Sequence, residues 1–146
     1  MELKISKWLE IIAFKTRQKS LYFELKYYIK NNKSYFRRIH YWERGMGKTH
    51  TLVELAKKFK CPIIVKNESS VEYMKRMYNI KNINIISCNN SIRGKKFDKV
   101  LFEEGIDIDI INEVLAPTCN CLVGYIDFDT YSNKKFIQEY ECDWIK

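Results

Sequence analysis

Several things are missing from this chain, and each absence excludes a class of protein. There is no run of about eighteen apolar residues, so no membrane-spanning helix is expected. Charges interrupt every apolar run near the N-terminus, which is not the layout of a signal peptide. A cytoplasmic protein is therefore expected. Histidine is scarce, with only His40 and His50. The five cysteines (Cys61, Cys88, Cys119, Cys121, Cys142) are odd in number and make no Cys-x-x-Cys pair. Cys119-x-Cys121 with two histidines is poor zinc chemistry, so reduced, half-buried thiols are expected. No adenine-reading motif is visible, so base preference is not written in the sequence.

Acidic residues are scarce in one region only. Residues 1–48 hold 12 Lys/Arg against 4 Asp/Glu, while residues 49–146 hold 14 of each. The whole net charge of +8 therefore sits in the N-terminal third. Such an asymmetry points to nucleic acid or another acidic partner, or to a solvated helical face.

What is present is enough for one compact unit. A chain of 146 residues with 46% apolar content can bury a sizeable core as a single domain, 1–146. Residues 1–33 read as a helical extension, 36–126 as the core and 127–146 as a tail. Leu3, Ile5, Trp8, Leu9, Ile12 and Ala13 recur at helical spacing over 2–17. Ser20 can cap a second helix to about Ile29, with Leu21, Leu25, Tyr28 and Ile29 on one face and Asn31-Asn32 as its stop. Tyr22, Phe23, Tyr27, Tyr28, Tyr35 and Phe36 interleave with lysines and arginines. That mixture suits stacking on single-stranded bases, and it equally suits helix packing with snorkelling lysines.

Beyond the preface, strands and helices alternate. A β-prone run (Phe36, Ile39, Tyr41, Trp42) precedes a helix over Thr51–Lys60. Pro62–Val65 reads as a strand, and Ser69-Ser70 with Glu72 starts a helix to Tyr78 that buries Val71, Met74 and Met77. Ile83–Ile86 is a strand, 88–98 a polar loop and 99–103 a strand. A helix follows near Asp107–Leu115, stopped by Pro117. The last strand is Cys121–Ile126, and 133–141 could form a short tail helix. This alternation predicts an α/β fold: a three-layer α/β/α sandwich with a mostly parallel five-stranded sheet, preceded by two N-terminal helices.

Two stretches carry chemistry. In Arg44-Gly45-Met46-Gly47-Lys48-Thr49-His50, glycines lie between a strand and a helix and are followed by Lys-Thr. Glycines let successive backbone N–H groups turn toward an anion, and the helix N-terminus adds partial positive charge. Lys48 would reach the terminal phosphates, and the Thr49 hydroxyl would hold Mg²⁺. The blander reading is a basic helix N-terminus behind a flexible turn. In Val100-Leu101-Phe102-Glu103-Glu104, a buried-type strand ends in two carboxylates, at the edge where open α/β sheets keep their ligands. If both stretches serve one ligand, their strands lie close in the sheet and a crossover skips a position. The last strand is then expected between or beside them.

Together, Gly-Met-Gly-Lys-Thr, Pro-Ile-Ile-Val and Phe97-Asp-Lys-Val-Leu-Phe-Glu-Glu104 resemble the first RecA-like half of a helicase or phage terminase ATPase. They are similar to the additional-strand, catalytic-glutamate division of the P-loop NTPases, over residues 36–126. The resemblance implies Walker A contacts from Arg44, Gly45, Met46, Gly47, Lys48, Thr49 and His50. It implies Mg²⁺ on Thr49 and Glu103, with Glu104 and Lys48 catalytic, and ATP as the ligand with GTP not excluded. Two positions depart from the pattern: Trp42 stands where a glycine is usual, and Glu103 where an aspartate is usual. The chain is also too short for a second RecA-like half. Arg44, Arg93, Lys95 and Lys96 are candidates for contact with the γ-phosphate. The function implied is a small Mg²⁺-dependent ATPase acting with nucleic acid or a protein partner, and the Ile/Lys/Asn-rich composition resembles that of a protein from a low-GC bacterium or its phage. The alternative is a non-hydrolysing binding protein on the same scaffold that inhibits a host nucleic-acid or defence enzyme of the CRISPR type.

Overall fold

The computed structural model describes residues 2–39, 47–80, 82–88, 92 and 94–127, with side chains from residue 4. The predicted strand–helix alternation is present. Five strands, β1 (Tyr35–Ile39), β2 (Ile63–Val65), β3 (Ile85–Ser87), β4 (Phe97–Phe102) and β5 (Cys119–Asp127), form one sheet in the order β1-β5-β4-β2-β3. Every pairing is parallel. The last strand therefore lies between the strand before the glycine turn and the strand that ends in the two glutamates.

Both faces of the sheet are covered, and the strand side chains alternate between two cores. On one face Ile63, Val65, Leu101, Val123 and Tyr125 pack against three helices: α1 (Glu2–Lys30), α2 (Lys48–Phe59) and α3 (Glu68–Tyr78). On the other, Phe36, Ile64, Val100, Phe102, Leu122 and Ile126 pack against the helical segment between β4 and β5. That segment begins as α4 (Ile108–Ile110), widens to a π-helical turn over Ile111–Leu115 and ends as α5 (Ala116–Thr118). Pro117 does not stop it before 117; it falls where the π-helical turn, closed by Ala116 N–H donating to the Ile111 carbonyl, gives way to α5, and such a turn relaxes the hydrogen-bond ladder that a proline interrupts. This is a three-layer α/β/α sandwich.

The two predicted N-terminal helices are one. Residues 14–20 contain no glycine or proline, so nothing interrupts the hydrogen-bond ladder and Ser20 is an exposed interior residue rather than a cap. The helix ends where expected, with Asn32 in the left-handed region (φ 54°) and Lys33 N–H donating to the Tyr28 carbonyl. Its two halves present different apolar stripes. Leu21, Leu25 and Ile29 are buried against the sheet. Ile5, Trp8, Leu9 and Ile12 point about 150° away at 3.6 residues per turn, and they are 40–61% exposed. Glu24 anchors the buried half to the edge strand, accepting hydrogen bonds from the Tyr35 hydroxyl and from Arg37 Nε.

In α3 the cap is Asn67, whose side chain accepts from Ser70 N–H at 2.9 Å, so the helix starts one residue earlier than Ser69. Met77 is exposed, and Tyr78, one turn and about 40° on from Met74, takes its predicted place on the apolar face. Cys61 and Cys121 are buried free thiols pushed up to about 11 by that burial. Cys88 and Cys119 are half-buried and also free. Cys142 and the predicted 133–141 helix lie outside the described residues. No helix among the described residues is long and apolar enough to cross a membrane.

Candidate functional site

The site is built at the carboxyl edge of the sheet. The β4 ladder sets its acidic side: Leu101 N–H donates to the Pro62 carbonyl and Glu103 N–H to the Ile64 carbonyl, both at 3.0 Å. Glu103 and Glu104 are thereby held just past the strand end. The basic side is the first turn of α2. Gly47 is its N-cap in the left-handed region (φ 74°, ψ 32°), a conformation that an L side chain adopts only at a cost. Gly47 has no side chain with which to cap this end, so it leaves the leading N–H groups of α2 to other acceptors.

Residues 54 positions apart in sequence meet here. The Thr49 hydroxyl donates to Glu103 Oε1 at 2.6 Å. Lys48 Nζ stands 3.0 Å from Glu104 Oε1, with the lysine side chain 9% exposed and the glutamate 41%. Two contacts missed by sequence reasoning hold this turn in place. The buried Tyr125 hydroxyl donates to the Lys48 carbonyl at 3.0 Å, pinning α2 to β5. Gln18 of α1 lies over Gly47, so close that a Cβ there would sit 2.8 Å from Gln18 Nε2. Neither contact leaves a local sequence signal, because each is made by a residue far away in the chain.

The other predicted residues are placed less uniformly. His50 is exposed, its ring 6.3 Å from that of Tyr78. Arg44, Gly45, Met46, Trp42 and Arg93 lie outside the described residues. Lys95 and Lys96 precede β4, which puts them a strand's length, about 20 Å, from the carboxylates. They cannot serve this site from within the same chain. A cleft of about 640 Å³ opens at the same edge, lined in part by Lys66, Gly105, Asp107 and Asp127.

The electrostatics of the acid pair are uneven. Burial pushes the Glu103 carboxyl above its ordinary value of 4.5; the Thr49 hydrogen bond opposes this, Glu104 adds to it and Lys48 opposes it. A carboxyl raised in the folded state is a stability cost that appears as pH climbs from about 4.5 through the raised value and is fully present above it. A divalent cation bound by the ionised form would offset that cost. Glu103→Gln keeps an acceptor for Thr49 and removes the buried charge. The free protein is therefore expected to gain on the order of 1 kcal/mol at neutral pH, the scale of desolvating one polar group. Thermal melts at pH 7 check this, and the variant should also lose any Mg²⁺-dependent rise in Tm with nucleotide present.

Chemically, the oxygen donors Thr49 and Glu103 suit a small hard cation. The buried Lys48 ammonium beside open helix N–H groups suits a phosphate. Among the described residues no cluster of three or more His, Cys, Asp or Glu side chains is suited to a metal, so a cation here would need ligand oxygens from elsewhere, such as a phosphate. Compared with protein-family models, curated proteins and solved structures, the chain has no match in any of the three.

Proposed function

We propose that the protein is a P-loop nucleotide-binding protein of the additional-strand, catalytic-glutamate kind, a Mg²⁺-dependent ATPase that acts with nucleic acid or a protein partner. One observation carries the reading. The Lys-Thr pair at the start of α2 meets the Glu-Glu pair at the end of β4, across the intervening β5. Two independent motifs, each weak alone, come into direct side-chain contact, which supports a shared site for a phosphate and a divalent cation.

In this reading Lys48 and the α2 N–H groups hold the terminal phosphates. Thr49 and Glu103 hold Mg²⁺, which supplies charge neutralisation for the departing phosphoryl group. Glu104 orients and deprotonates the attacking water. In the free protein Glu104 is engaged with Lys48, so a phosphate arriving at Lys48 releases the carboxylate for that task. The test is phosphate release from ATP and GTP with Mg²⁺, with and without added DNA or RNA. Release well above that of Lys48→Ala supports an ATPase; release no greater than that variant contradicts it.

The exposed first half of α1 favours a second reading, a non-hydrolysing inhibitor of a host nucleic-acid or defence enzyme. Six large apolar residues between Ile5 and Phe14 are 38–61% exposed there, a surface suited to docking on protein. Biological activity that survives Lys48→Ala and is lost on Trp8→Glu would select it.

A further inference from the structure

The aromatic and basic residues of the preface divide into two groups. Tyr28, Tyr35 and Phe36 are committed to packing: Tyr28 stacks on Tyr35 at 3.9 Å with the rings 8° from parallel, and Tyr35 and Phe36 are buried. Phe23 and Tyr27 are 60% and 53% exposed, one turn apart on the outer side of α1, and each meets a neighbouring ring edge-to-face, Phe23 with Tyr22 at 5.5 Å and Tyr27 with Tyr28 at 5.2 Å. Lysines sit among them. Lys26 Nζ lies 5.6 Å from the Phe23 ring centroid and 5.9 Å from that of Tyr22, and Lys33 Nζ lies 5.7 Å from that of Tyr27. Lys58, from the last turns of α2, meets Lys26 from the side, and Lys30 lies one turn along.

This cluster is positively charged without compensation. Among the described residues none of Lys26, Lys30 and Lys58 pairs with a carboxylate; the ion pairs are Arg37–Glu24, Lys48–Glu104 and Lys57–Glu54. The Lys58 ammonium, with a smaller contribution from Lys30, holds the Lys26 pKa below its ordinary value, which is the mark of like charges crowded together. An anion among them would relieve the repulsion.

We propose that the outer face of α1 around Phe23 and Tyr27, with Lys26, Lys30, Lys33 and Lys58, is a binding surface for single-stranded nucleic acid. Two exposed rings one helical turn apart offer faces for unpaired bases, and the lysines track the phosphates. A duplex hides its base faces and would use the lysines alone. A protein partner is the poorer fit, because interface cores are depleted of lysine, whereas here lysines lie between the rings. The proposal deepens the partner half of the function above and is independent of the nucleotide pocket.

The test is fluorescence anisotropy of 5′-labelled dT20 and U20 oligonucleotides against the full chain, with no nucleotide present. Both oligomers should bind more tightly than a duplex of equal length. Phe23→Ala with Tyr27→Ala should weaken binding by about tenfold or more without changing Tm, since both side chains are exposed. Lys30→Ala should lower the slope of log affinity against log salt by about one. Absence of binding at low salt overturns the proposal and leaves the face to a protein. Binding that is indifferent to both ring deletions and matched by heparin overturns it as well, since that is simple attraction to a polyanion. Because the assay contains no nucleotide, neither result bears on whether the pocket at Lys48 binds one.

Discussion

Glu104→Gln is expected to keep nucleotide binding and to lose turnover by about 10²–10⁴-fold, the range for removing a positioned general base. The geometry makes the two effects separable. Glu104 touches the buried Lys48 ammonium at 3.0 Å, yet its own side chain is 41% exposed, so the carboxylate is open to solvent. Removing its charge removes a competitor for Lys48. Affinity for a phosphate should therefore stay level or rise while hydrolysis falls. Glu103 has the opposite profile: it is more buried and is bonded to Thr49 at 2.6 Å, and the proposal gives it the cation rather than the water. Stopped-flow binding of a fluorescent ATP analogue, set beside single-turnover hydrolysis, measures both quantities. Equal loss of binding and turnover in Glu104→Gln would assign this residue to holding the ligand and remove it from catalysis.

Gly124→Val is expected to destabilise the fold by about 3 kcal/mol, at the upper end for overpacking a core, with Tm lower by about 10 °C. Gly124 lies in β5 and is paired with Phe36 of β1 on one side and Phe102 of β4 on the other. With no side chain between them, the two phenyl rings meet over the strand edge-to-face, at 5.3 Å between centroids and 88° between planes. A Cβ at position 124 would stand 2.2 Å from the Phe102 carbonyl oxygen and 2.4 Å from Phe102 Cδ1. Backbone cannot yield as a flexible side chain can, so β4 and β5 would have to part. The consequence extends past stability. Phe102 immediately precedes Glu103, and Phe36 lies on β1, the strand before α2 in the chain, so the glycine sets the separation of the strands that carry the two halves of the proposed site. Chemical denaturation of the variant checks the first effect and loss of nucleotide binding at low temperature the second. A variant with unchanged midpoint would show that the strands accommodate the side chain.

The sheet was readable because its strands are short apolar runs buried on both faces and separated by helices of ten or so residues. That β5 lies between or beside the strands carrying the two motifs is expected from the assumption that Lys48-Thr49 and Glu103-Glu104 serve one ligand; which of the two it is, only the sheet order decides. The rest was hidden for identifiable reasons. Ser20 has the same capping side chain whether or not a helix starts there, and only the absence of any breaker over 14–20 decides for continuity. Asn67 and Ser69 are both competent caps two residues apart. Met77 and Tyr78 are neighbours, and a one-residue rotation of the apolar stripe exchanges them. Gln18 over Gly47 and Tyr125 under Lys48 arise from contacts across the fold, where no pattern along the chain could announce them.

The reading rests on a phosphate-and-cation pocket formed by Lys48, Thr49, Glu103 and Glu104. Isothermal titration calorimetry of the full chain with ATP, GTP and their non-hydrolysable analogues, with and without Mg²⁺, tests it most directly. The expected result is one site per chain whose affinity rises with Mg²⁺, and which is abolished by Lys48→Ala in a variant that keeps its circular dichroism spectrum. No heat of binding from any of these nucleotides, or binding that Lys48→Ala leaves unchanged, would contradict it.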